Sequence, residues 1–194
     1  MLFTGKAYVN YPLVQGGSAT FKNYGFDSDT ELIYHDQHFE SKMLMYDLVL
    51  DELIIFHPDK EIPLILPRQW IDRFVIKQDT FVNLAQEDWL GLPNDGFYHQ
   101  YYSSDSILCL VSYSKELRDV GHDISRSRQF LQHTRYFVRL NDTAPFQEIS
   151  THRQLLSLDP SRRRANRRLL FSLGLQSRDR LGEAIPVILY QMGQ

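Results

Sequence analysis

Arg162-Arg163-Arg164-Ala165-Asn166-Arg167-Arg168 puts five guanidinium groups into seven residues. Each is permanently charged and presents a planar fork of donors that fits a phosphate, sulfate or carboxylate. On a helix Arg163 aligns with Arg167, and Arg164 with Arg168, four residues on. Leu169, Leu170, Phe171 and Leu173 supply an apolar edge beside them. Two readings follow. Either the arginines of a solvated amphipathic helix meet an acidic surface of the same chain, or they form a site for an anion such as a lipid headgroup or a polyanionic glycan. Nucleic acid is disfavoured, because no basic strand interleaved with aromatics accompanies the helix. A second candidate is aromatic. In Phe97-Tyr98-His99-Gln100-Tyr101-Tyr102, strand alternation sets Phe97, His99 and Tyr101 on one face and Tyr98, Gln100 and Tyr102 on the other. This is a core strand with a tyrosine ladder on its outer face, or a platform for a sugar ring or a partner protein. The candidate binding residues are Tyr98, Tyr102, Arg163, Arg164, Arg167 and Arg168.

Other constellations are weaker. His35 and His38 with Asp36 suggest a metal, but on a strand residues three apart face opposite sides, and a structural zinc wants four ligands, usually with cysteine. They read as exposed turn histidines. Asp47 and Asp51 bracket Leu48-Val49-Leu50, where an aspartate fixes a reversal by accepting backbone N–H bonds. A calcium or sugar site would need further oxygens from elsewhere. Cys109, the single cysteine, sits in the apolar run Ser106–Val111, where burial opposes the thiolate that a nucleophile needs. There is no Gly-x-Ser-x-Gly elbow, no His-Glu-x-x-His, no phosphate-cradling loop and no Rossmann fingerprint. No catalytic residue, metal ligand or cofactor is assigned.

The elements that must position these residues fall into two regimes. Of the 194 residues 43% are hydrophobic and 13% aromatic, which suits one globular domain with or without an appendage and excludes a disordered tail or a disulfide miniprotein. Residues 1–110 carry 7 basic and 16 acidic side chains, and 111–194 carry 14 and 8, so the net charge of −3 hides a strong asymmetry along the chain. No run approaches the about 18 apolar residues of a membrane helix, so no transmembrane segment is expected.

Residues 1–150 read as strands. Glu31–Tyr34, Lys42–Leu48, Glu52–Phe56, Glu61–Leu66, Arg73–Lys77, Thr80–Leu84, Phe97–Tyr102, Ser106–Tyr113, Thr134–Leu140 and Phe146–Ile149 are short apolar runs divided by turn residues such as Pro58-Asp59, Gln78-Asp79, Asn94-Asp95-Gly96 and Asn141-Asp142. That spacing predicts an antiparallel meander forming a barrel or a sandwich. Residues 114–133 are polar and weakly periodic, and read as an exposed excursion. Residues 151–194 read as helices: a turn capped by Ser150 or Thr151, a helix opened by Asp159-Pro160 and closed near Gly174, and a last segment Ser177–Met192 that Pro186 kinks or ends.

Several of these segments resemble a family. Leu2-Phe3-Thr4-Gly5-Lys6-Ala7-Tyr8, the looser Gly16-Gly17-Ser18-Ala19-Thr20-Phe21, Tyr34-His35-Asp36-Gln37-His38-Phe39 and above all Tyr46-Asp47 with Asp51 and Leu53 (Tyr-Asp-x-x-x-Asp-x-Leu) are similar to a group of exported proteins of the Bacteroidetes, and Phe74, Phe81, Gly96-Phe97-Tyr98, Tyr136-Phe137 and Leu155-Leu156 follow in the same order. The resemblance implies a mainly β protein of the periplasm or cell envelope from which a leader has been removed. It implies no activity.

The expectation is a β domain over 1–150 with a C-terminal helical element over 151–194 packed on it. The expected function is non-catalytic binding or structural support, with a protein or glycan partner or a second copy of the chain as a homodimer. The alternatives are a hydrolase acting on carbohydrate or lipid, and a polyanion binder working through the arginine helix.

Overall fold

The computed structural model describes residues 1–194 except 1, 4, 12, 13, 15, 16, 28, 86–88, 121–126 and 194, and the side chains of 120 and 127. Its strands are β1 (Lys6–Ala7), β2 (Thr30–Tyr34), β3 (Gln37–Glu40), β4 (Leu44–Asp47), β5 (Glu52–His57), β6 (Ile62–Ile65), β7 (Ile71–Ile76), β8 (Asp79–Leu84), β9 (Gly96–Ser103), β10 (Leu108–Val120), β11 (Ser127–Arg139) and β12 (Gln147–Ile149). Three helices follow: α1 (His152–Ser157), α2 (Arg163–Ser172) and α3 (Leu181–Met192). The strands form two sheets, in the orders β1-β6-β5-β4 and β12-β11-β10-β9-β8-β7-β2-β3. Neither order returns to its first strand, so the fold is mainly β with open sheets, and of the two expected architectures the sandwich is the one that fits.

Two compact units share the strands. A β unit comprises Met1–Leu84, Gly96–His99 and Tyr113–Thr134, and a helical unit comprises Ala85–Asp95, Gln100–Ser112 and Arg135–Gln194. This division cuts across the sequence boundary at 150, because β9, β10 and β11 each run through both units.

The β unit is a sheet-on-sheet core. Leu44, Tyr46, Leu53 and Ile55 of the smaller sheet cluster with Leu32, Phe74, Phe81 and Phe97 of the larger. The Phe74 and Phe81 rings stack at 4.8 Å, and Tyr46 meets Phe81 edge-on at 5.0 Å. Each such ring pair adds about 0.5–1.5 kcal/mol beyond area burial. Ile71 and Phe74 are three apart yet both buried, because β7 has one residue too many: Ile33 pairs with Arg73 and Tyr34 with Ile71, which leaves Asp72 as a bulge. Chain reversals use positive φ without glycine, at His35-Asp36 between β2 and β3 and at Lys77 before β8. The β7–β8 turn is thus Lys77-Gln78, one residue earlier than expected, since Ile76 pairs with Asp79.

The stretch 114–133 is not the expected excursion. β10 reaches Val120 and β11 begins at Ser127, and 121–126 lie outside the described residues. Most of this ribbon's side chains are exposed, so it has no apolar period to betray it. Backbone pairing and cross-strand polar contacts, Arg128–Asp119 at 3.1 Å and His133–Glu116 at 3.7 Å, take the place of a buried face.

In the helical unit Ile107, just ahead of β10, and Cys109, Val138 and Ile149 of the sheet cluster with Leu155, Leu170, Ile185 and Ile188 of the helices. Cys109 is fully buried, and burial pushes its thiol up to about 12, as its apolar run implied. Pro186 does not end α3, which continues to Met192. The proline leaves the carbonyl four residues back, that of Gly182, without its helical donor. The Tyr101 hydroxyl donates to that oxygen at 3.2 Å. Gly182 is also where the helix passes Tyr136: an added Cβ would lie 2.3 Å from the Tyr136 hydroxyl.

Candidate anion-binding site

α1 is fixed by its cap. The Thr151 hydroxyl accepts from the Gln154 amide N–H at 3.2 Å, and the Gln154 side-chain oxygen accepts from the Ser150 N–H at 3.0 Å. This is a close variant of the reciprocal capping box. α2 begins at Arg163, three residues later than Asp159-Pro160 suggested, because Asp159 closes a turn instead of capping the helix. Its carboxylate accepts from the N–H of Ser161 at 3.1 Å and of Arg162 at 3.2 Å. α2 ends at Ser172, close to Gly174 as expected, and the φ of Gly174 is 66°. The N–H of Leu175 donates to the Leu170 carbonyl and that of Gly174 to the Phe171 carbonyl, which is the Schellman arrangement. His152 Nε2 lies 2.7 Å from the Leu175 carbonyl and ties α1 to the end of α2.

These constraints leave a cleft of about 430 Å³ on the helical unit. Leu156 and Leu170 line it with apolar surface, and Arg153 of α1 with Arg163 and Arg167 of α2 line it with charge. Gln176 adds an amide. Asn166 and Leu170 form the buried edge of α2, while Arg163, Arg164, Arg167 and Arg168 are exposed. Among the described residues no carboxylate pairs with Arg153, Arg163, Arg164, Arg167 or Arg168. Other arginines differ: Arg135 meets Glu148 at 2.7 Å, Arg180 meets Glu183 at 2.6 Å and Arg68 meets Asp51 at 2.7 Å. The first turn of α2 contains no acid, so its arginines stand against the positive end of the helix dipole. Arg163 and Arg167, and Arg164 and Arg168, are also like-charge neighbours one turn apart. Local electrostatics therefore disfavours this charge set, and the nearest acid at the start of the helix, Asp159, lies against Arg162 at 3.9 Å and not against these side chains.

The structure thus brings Arg163 and Arg167 into one cleft and sets Arg164 and Arg168 on the outer side of the same helix. It does not bring the tyrosines there. Tyr98 is 2% exposed and presents no ring face to solvent, because β9 is covered on both faces at Phe97 and Tyr98. Tyr102 is half-buried against the helical cluster, where an outer ladder was one expectation. Sequence reasoning missed Arg153 and Gln176. A capped turn carrying Arg153 and Leu156 shortly before the arginine run was the available signal, but only the folding of α1 against α2 makes it part of a site.

The ionisable groups buried in the β unit are engaged otherwise. Asp47 accepts from the hydroxyls of Tyr8 at 2.7 Å and Tyr11 at 3.3 Å, and from the N–H groups of Val49 at 2.7 Å and Leu50 at 3.0 Å. The last two bonds form the turn-fixing role read from sequence. Asp51 instead accepts from Tyr46 at 2.5 Å and pairs with Arg68, and burial raises its carboxyl. The Lys115 ammonium donates to the carbonyls of Ser18 and Thr20, both at 2.7 Å, and to Asn23 at 3.2 Å, and burial lowers it. His99 lies 3.3 Å from Asp79 and 3.2 Å from the Tyr113 hydroxyl, and burial lowers it against the pull of Asp79. His35 packs against Trp70 at a tilt, ring centres 4.3 Å apart, and His38 lies near Glu31 and Glu40. Among the described residues no group of three His, Cys, Asp or Glu side chains could hold a metal ion, and no helix is long and apolar enough to cross a membrane. Comparison with known protein families, with curated proteins and with solved structures finds no match.

Proposed function

We propose that this is a non-catalytic binding protein whose helical unit takes an anionic partner. One observation carries the reading: Arg153, Arg163 and Arg167 converge on a cleft of about 430 Å³ with no carboxylate counterpart among the described residues. Like charges placed together against a helix dipole cost stability, and an external anion is what offsets that cost. The buried aspartates and Lys115 support the same reading, since their bonds are directed at turns and neighbouring backbone. Work in the periplasm or cell envelope, which the family resemblance implies, belongs to the same proposal and is tested by fractionating cells that express the full reading frame.

The binding test is retention on immobilised heparin, with the wild type beside the triple variant R153Q/R163Q/R167Q. The wild type is retained and elutes with rising salt, and the variant elutes at much lower salt with an unchanged melting temperature. Equal elution of the two proteins refutes the reading.

A further inference from the structure

The outward side of α2 holds one residue that anion binding alone does not use. Phe171 is 72% exposed. At about 100° per residue it projects about 40° from Arg167, about 20° from Arg164 and about 60° from Arg168. A bare aromatic ring therefore sits among arginines that no carboxylate of the described residues engages, on the side of the helix away from the buried Asn166 and Leu170. A sulfated glycan has little to gain from a benzyl group, and a basic groove for single strands stacks several rings in succession. A bilayer interface takes both parts: headgroup phosphates meet guanidinium groups while the ring enters the boundary with the acyl chains.

We propose that α2 docks flat on a membrane surface carrying anionic lipid, with Phe171 inserted and Arg163, Arg164, Arg167 and Arg168 on the headgroup phosphates. Arg167 also lines the cleft that holds Arg153, and one headgroup reaches Arg153 there. The inference rests on the anion-binding reading and names the partner of that site. Charge complementarity selects the occupant, since each basic residue near an anionic leaflet strengthens attachment by about fivefold.

The test is cosedimentation of the whole chain with vesicles of phosphatidylcholine alone and of phosphatidylcholine with one third phosphatidylglycerol, and heparin retention runs beside it. The wild type sediments with the mixed vesicles and not with phosphatidylcholine. F171S loses at least fivefold in vesicle affinity and keeps its heparin elution. F171W gains a blue-shifted emission component with mixed vesicles that the wild type lacks. Heparin retention that depends on the arginines, without vesicle binding, overturns the membrane proposal and leaves the anion site standing. Equal vesicle binding by wild type and F171S overturns it as well. Loss of both activities in the wild type overturns both readings.

Discussion

In the β unit Asp47, fully buried, receives four hydrogen bonds, and the Lys115 ammonium makes three. In the helical unit Arg153, Arg163 and Arg167 line a cleft, and no carboxylate among the described residues pairs with them. Both regions are dense in charge, yet the physics runs in opposite directions. A buried charge survives only if its bonds are all made, so the first set is tied to the fold. An exposed guanidinium needs no partner to remain folded, so the second set is free to be directed outward. Charge density by itself does not distinguish structure from recognition, whereas the fate of each donor and acceptor does.

Four measurements test that contrast. The largest effect is expected at Asp47. D47A strands the hydroxyls of Tyr8 and Tyr11 and the turn amides of Val49 and Leu50, and costs about 3 kcal/mol in urea unfolding. A loss below about 1 kcal/mol removes the claim that this carboxylate holds the reversal. Next is Gly182. Alanine is worth about 1 kcal/mol more than glycine inside a helix. Here G182A should instead destabilise by about 1–2 kcal/mol, because the methyl meets the Tyr136 hydroxyl. The same substitution in a Y136F background recovers part of the loss, and a stabilising G182A in the parent chain contradicts the close approach.

A smaller effect follows from His99. Burial, together with the nearby Lys22 ammonium, holds the folded imidazole below its ordinary value while Asp79 pulls the other way. The unfolded chain, titrating near about 6.5, takes up a proton that the folded chain refuses. Stability is therefore fully present above that value and falls as pH drops below it. H99Q should flatten this slope between about pH 6.5 and 5, and parallel pH profiles for variant and parent dispose of the assignment. The smallest effect is at α2. R163Q and R167Q leave stability within about 0.5 kcal/mol or raise it slightly, since they relieve like-charge repulsion. A loss of 2 kcal/mol would assign these arginines to the fold and erase the contrast.

Much of the architecture was legible because the β unit buries one face of many short strands. β2 alternates buried and less buried positions from Thr30 to Tyr34, and β5 and β7 carry apolar runs bounded by Pro58 and the Lys77-Gln78 turn. The cap at Ser150 or Thr151, which the structure places on Thr151, and the stop near Gly174 were also readable, since a hydroxyl acceptor and a residue tolerant of positive φ are local requirements. Less could be read where stability comes from pairing instead of burial. The β10–β11 ribbon is polar, so its strands imitate a loop. Tyr98 was assigned to an outer face, yet β9 is covered on both sides there. Pro186 read as a kink or an end because the group that satisfies the Gly182 carbonyl, the Tyr101 hydroxyl, lies 81 residues away in sequence.

Local sequence was enough for the apolar strands, the helix caps, the charge asymmetry and the arginine run, all of which depend on neighbours within a few residues. Tertiary structure decided which arginines face a cleft, which carboxylates are consumed by turns, and which aromatic ring is left bare. Those outcomes depend on the distances between segments far apart in sequence. A hydrogen bond or an ion pair acts only over a few ångströms, so its presence or absence is settled only when the segments meet.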